Sequence, residues 1–177
     1  MKAFELMAQY NQWMNEKVFA SAERLSEAEL AEDRGAFFGS ILGTLNHILI
    51  GDIIWLKRFS EHPRDFPSLI YLRNRDQPKS LAEVVHCDLS ALRSERKIID
   101  EIIVKFSKEI AQTDADSPLN YCNTKGERFS KNFGQLVLHM FNHQTHHRGQ
   151  VSTLFNQLGH DIGATDLLMC IPSDPRL

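Results

Sequence analysis

From Leu136 to Leu158 the residues Leu136, Met140, His143, His147, Val151, Leu154 and Leu158 follow one another in unbroken steps of three and four. That is the period of one face of an α-helix. The helix is predicted over 133–158 and ends at Gly159, the residue type that most easily takes the left-handed conformation of a C-terminal cap. A face this regular has to be buried against other helices. Two of its places, which packing alone would give to hydrocarbon, hold imidazoles.

Three further segments carry the same period. In the first, Phe4, Met7, Tyr10, Met14 and Val18 line one face, and Ser26 with Glu29 then reads as a capping box opening a short turn. The second is predicted to begin at Ser40 and to run through "ILGTLNHILIGDIIWLKRF", apolar around most of its circumference as in a helix packed on several sides. The third is predicted to open at a second capping box, Ser80 and Glu83, with Leu81, Val85, Leu89, Leu92, Ile99, Ile103 and Phe106 on one face. Pro63, Pro67 and Pro78 mark 61–79 as a surface connection, and "PLNYCNTKGERFS" reads as a small hairpin. The tail "DIGATDLLMCIPSDPRL" is expected to fold as a flap over one end. The default arrangement for four such helices is an all-α, antiparallel four-helix bundle, here one domain over 1–177.

Charge and cysteine content narrow the function. With 20 basic and 23 acidic residues the net charge is −3, which gives no electrostatic reason to bind nucleic acid or an anionic membrane. Cys87, Cys122 and Cys170 lie far apart and form no C-x-x-C pair, which argues against a disulfide framework and against a thiolate zinc site. The polar N-terminus does not read as a signal peptide or an anchor. A cytoplasmic location is the expectation.

Four of the eight histidines fall between His139 and His147. His143 and His147 lie in the stripe, whereas His139 and His146 fall roughly 90° to 110° from its centre. Imidazoles at i and i+4 stand about 5–6 Å apart at Cβ, a separation from which both can reach one divalent cation. The alternative is that each is a core histidine bonded to a polar neighbour. His47, flanked by Gly43 and Gly51 at i−4 and i+4, is the best third ligand, since the bare surface leaves room for a close approach or a ligand. The glycines could equally serve tight packing alone. Asp52 lies nearly opposite that face and is a weaker candidate.

Three neutral histidines suit Zn, Ni, Fe or Cu better than Mg or Ca, and they leave coordination positions open for water or substrate. "HQTHH" imitates the zinc-protease H-E-x-x-H, but Gln144 stands where that motif needs a carboxylate base.

"LNHILIGDIIWLKRF", followed about a hundred residues later by "NHQTHHRGQV" and then "TDLL", resembles the DinB family, the DinB/YfiT-like metalloenzymes, over nearly the whole chain. The resemblance implies a four-helix bundle of the DinB/YfiT-like type. It also implies one divalent transition metal, Zn or Ni with Fe as a further choice, held by His47, His143 and His147. A homodimer and induction by DNA damage are implied as well. Some relatives transfer or isomerise with a low-molecular-weight thiol, which makes a thiol S-transferase the leading expectation and a small molecule the expected partner. A metal-dependent hydrolase and a non-catalytic metal- or ligand-binding bundle are the alternatives.

Arg148 is expected to pair with an acid such as Asp52 or Asp161. Gln150, Asn142 and Asn46 are candidates for fixing the histidine rings by hydrogen bonds. Trp13, Trp55 and Phe59 are assigned to packing, and Tyr10 and Tyr121 are left without a role. His62, His86 and His160 are expected to be solvated or incidental.

Overall fold

The computed structural model describes residues 3–78 and 80–173. Its long helices are α1 (Ala3–Ala22), α3 (Ile41–Phe59), α5 (Leu89–Glu109) and α7 (Phe133–Gln157). Short helices α2 (Glu27–Ala31), α4 (Ile70–Arg73) and α6 (Gln112–Ala115) lie in the connections, and β1 (Pro118–Cys122) pairs antiparallel with β2 (Arg128–Asn132). The protein is all-α apart from that hairpin. Among the described residues no helix is long and apolar enough to cross a membrane.

Side-chain caps set where the helices begin. Ser26 and Glu29 form the reciprocal capping box of α2, Ser40 accepts from the Gly43 amide, and Asn132 accepts from that of Gln135. α3 buries apolar residues on every side, from Ile41 and Leu45 through Ile50 and Ile53 to Leu56 and Phe59, and is the most enclosed helix.

The third long helix differs from the expectation. It starts at Leu89, where the Asp88 carboxylate accepts from the Ala91 amide, and not at Ser80. The capping pattern of Ser80 and Glu83 loses because α3 claims the backbone that a helix there would need. The Asn46 amide bonds both the N–H and the C=O of His86, and the Leu81 carbonyl accepts from His47 Nδ1. Leu81 and Val84 are consequently exposed, while Leu92, Ile99, Ile103 and Phe106 make the buried stripe.

Neighbouring contacts fix the helix directions. Arg93 pairs with Glu23 and Asp100 with Asn11 and Asn15, so α1 and α5 run antiparallel. Asp52 meets Arg96 and Phe59 meets Phe106, so α3 and α5 run parallel. His47 meets His147 and Phe59 meets Phe133, so α3 and α7 are antiparallel. A parallel neighbour requires the chain to return the length of the bundle between α3 and α5, and residues 60–78 and 80–88 lie on that return along the flank of α3. Lys57 bonds the Leu72 carbonyl near one end of the path, and Asn46 holds His86 near the other.

Of the tail, residues 161–173 are described, and this part follows the first helix. Tyr10 and Lys17, in the body of α1, donate to the carbonyls of Thr165 and Ala164, so the segment lies along the flank of α1 rather than over an end.

A polar network runs through the centre of the bundle. Arg96 pairs with Asp52 and Asp100, Gln144 donates to Asp52 at 2.7 Å, and Arg148 donates to Gln144, Asn11 and Asn15. All four long helices contribute, and every member is buried. Arg148 thus finds its partners in amide oxygens rather than in Asp52 or Asp161, with the carboxylates of Asp52 and Asp100 near enough to act on its charge. Removing one partner of a buried ion pair strands the other, at a cost of about 3–5 kcal/mol. Asp52→Ala should lower the free energy of unfolding by about that much in urea titration.

Candidate metal centre

α3 and α7 bring His47, His143 and His147 to one point. His47 Nε2 lies 2.9 Å from His143 Nε2 and 3.1 Å from His147 Nε2. One ligand atom from each residue falls within 4.8 Å of the others. Two nitrogens each about 2.0–2.1 Å from one ion are at most about 4.2 Å apart, so both His47 pairs are close enough to share a cation. His47 and His147 are buried and His143 is half-buried.

The far side of two rings decides what the near side offers. His47 Nδ1 donates to the Leu81 carbonyl at 2.8 Å, and His147 Nδ1 to Gln150 Oε1 at 2.8 Å. A carbonyl cannot donate in return, so Nδ1 carries the proton and Nε2 keeps its lone pair. Two lone pairs facing each other repel unless a proton or a cation stands between them. Such nitrogen donors suit a borderline transition metal, with the His47 and His147 rings each held by a carbonyl behind it. His143 Nδ1 is buried and has no protein partner.

Electrostatics keep the rings neutral. Burial lowers all three pKa values below the usual imidazole value, and His143 falls to about 3 because His147 and His47 add their repulsion. Neutral rings are the form that binds metal.

Gly51 and Gly43 prove to have separate purposes. A Cβ on Gly51 would stand 2.7 Å from His143 Cε1, so its absence admits the His143 ring against α3. A Cβ on Gly43 would collide with the Phe38 carbonyl, so that glycine admits the loop leading into α3. The loop places Phe38 flat over His47, with centroids 3.6 Å apart and planes 17° from parallel, and its edge toward His147. Neither Phe38 nor the Leu81 carbonyl is prefigured by the stripes. The nearest signal for Phe38 is an aromatic pair, Phe37 and Phe38, set between Gly35 and Gly39 just before a helix cap.

The remaining candidates sort cleanly. Gln150 bonds a site ring, whereas Asn142 is exposed and Asn46 acts at one remove by holding His86 and so the segment that carries Leu81. His139 and His146 lie beside His143 and His147 but outside the three-nitrogen group. Gln144 turns away to Asp52 and Arg148. His62, expected to be solvated, is buried, with Nδ1 accepting from the Arg64 amide and Nε2 bonded to Ser117. His86 pairs with Glu95.

A model of the DinB family matches residues 1–175. Protein DinB of Bacillus subtilis (strain 168) is 28% identical over 166 residues, spanning 93% of this chain and 90% of that one. No solved structure matches the chain.

The lowered histidine pKa values have a consequence for the metal-free protein. Below about pH 6.5 the unfolded chain takes up protons that the folded cluster refuses, so this contribution to stability is complete above that pH and is lost as pH falls toward 3. Asp100, raised to about 6 by burial, acts in the opposite sense by taking up its proton in the folded state first. Urea midpoints of wild type and His143→Gln, compared from pH 7.5 to 4.5 with chelator present, should separate the two, with the wild type losing more stability on acidification.

Proposed function

The chain belongs to the DinB family, and from that premise we propose that it is a metal-dependent enzyme whose cation is held by His47, His143 and His147. We further propose that it transfers a low-molecular-weight thiol to a small electrophile. The observation that carries the metal reading is the meeting of three imidazole Nε2 atoms whose opposite nitrogens, in His47 and His147, are committed to carbonyl acceptors. When bound, such a cation supplies Lewis acidity and holds a coordinated thiol as its thiolate.

The protein's own part is positioning and shielding. Leu81 and Gln150 fix two of the rings, Gly51 lets the third approach, and Phe38 excludes water from one face of His47. Gln144 gives no carboxylate base and is engaged in the core, which favours transfer over hydrolysis of the H-E-x-x-H kind. A net charge of −3 favours a small molecule over nucleic acid as the partner. The family resemblance adds a homodimer to the proposal.

Cobalt tests this reading, since a thiolate ligand adds a charge-transfer band that water and imidazole do not give. Wild type should bind one equivalent and develop the band with millimolar thiol, more strongly as pH rises toward the thiol's pKa. His143→Ala and His147→Ala should lose stoichiometric cobalt, and His139→Ala and His146→Ala should keep it. Gly51→Ala should remain helical but bind cobalt about tenfold or more weakly, because the new methyl displaces His143. Full cobalt occupancy in His147→Ala would refute the ligand set, and no band with any thiol would remove the transferase reading.

A further inference from the structure

Beyond the cluster, a line of rings continues along the seam between α3 and α7. His139 lies 6.3 Å from His143, and Trp55 lies 5.0 Å from His139, centroid to centroid. The Arg58 guanidinium sits 4.6 Å from the Trp55 ring and 5.1 Å from that of Tyr121. Tyr121 comes from the hairpin, where it stacks on Phe129. Lys131 stands on the same face of β2 as Phe129, two residues along, and its charge and that of Arg58 both act on His139.

Arg58 is half-buried, which normally calls for a counter-charge. Among the described residues neither Arg58 nor Lys131 has a carboxylate within ion-pair distance. Glu61 lies near enough to favour the charged form of Arg58, but it is exposed and makes no bond to it. The aromatic rings hold the guanidinium by cation–π attraction, which positions the charge without neutralising it. Its N–H groups remain free to take a planar anion through paired hydrogen bonds.

We propose that Arg58, lying over Trp55 and Tyr121 and joined by Lys131 beside His139, binds the carboxylate of a substrate extended along the seam toward His47, His143 and His147. This rests on the metal-dependent reading for the far end only; the carboxylate subsite is complete without the metal. The substrate class is then a carboxylate-bearing thiol or electrophile. The subsite would discriminate against neutral analogues by leaving the guanidinium unpaired.

The test uses Trp55 as its own reporter. The chain has two tryptophans, so Trp13→Phe leaves Trp55 alone. In that background, succinate should change the emission saturably in metal-free protein, and succinamide or inorganic phosphate should do so weakly or not at all. Arg58→Gln should weaken the apparent affinity for succinate about tenfold or more, the loss of one charge-assisted contact. Arg58→Lys should recover part of it, and Lys131→Gln should cause a smaller loss. Circular dichroism establishes folding of each variant, and Lys131→Gln, altered at a strand surface, carries the test should Arg58→Gln unfold. A succinate response that is absent, is matched by succinamide or phosphate, or is unchanged in Arg58→Gln and Lys131→Gln overturns the proposal. Failure to bind cobalt with the succinate response intact overturns the metal reading and leaves the carboxylate subsite standing.

Discussion

Everything at the candidate centre depends on how α7 is turned, and the Gln144–Asp52 bond in the middle of the bundle sets that turn. Gln144 lies one residue after His143 and three before His147, so fixing its amide on Asp52 aims both imidazoles at His47. Asp52 is held in turn by Arg96, and Arg148 completes the circuit to Asn11 and Asn15. Apolar packing would tolerate some rotation or sliding of a helix, but a buried hydrogen-bonded network does not, because each misplaced group is left desolvated and unpaired. The core is therefore specified by polar bonds at the level of the site and by hydrocarbon above and below it. At the far end Phe59 stacks on Phe106 and Phe66 on Phe133, and the two pairs meet edge to face.

The second constraint is the return of the chain between α3 and α5. Because these neighbours run parallel, the connection between them must travel back along α3, and its described residues 80–88 pass the centre on the way. That passage delivers the Leu81 carbonyl to His47 and supplies the Asn46 clamp on His86 that keeps it there. A bundle with short antiparallel connections would have no backbone at this place. Topology and the orientation of one imidazole are thus the same fact seen at two scales.

The surroundings of the cluster differ on its two sides. Phe38 covers His47 from the loop before α3, while His139, Trp55 and Arg58 extend from His143 along the seam toward the hairpin. An apolar cover on one side and a cationic, aromatic path on the other give a bound molecule a direction. The hairpin, which contributes nothing to the bundle core beyond residues such as Leu119 and Tyr121, gains a purpose as the wall of that path.

Periodicity by itself determined that four helices form and which faces they bury, because apolar spacing and caps such as Ser26, Ser40 and Gly159 act locally. It also determined that His143 and His147 share a buried face, since i and i+4 coincide on any helix. The place of His47 opposite them was legible only as a histidine between glycines, and the reason for Gly51 was not, because the ring it admits comes from a helix nearly a hundred residues away. Local pattern misled at Ser80, where a capping box met an apolar stripe but the backbone was already bonded to α3. Tertiary structure alone decided that Asn46 would hold a loop while Gln150 held a ring, that Gln144 would face Asp52, and that Arg58 would stand charged between aromatic rings. Those outcomes turn on which surfaces meet, and a single chain's spacing carries no record of partners brought together only by folding.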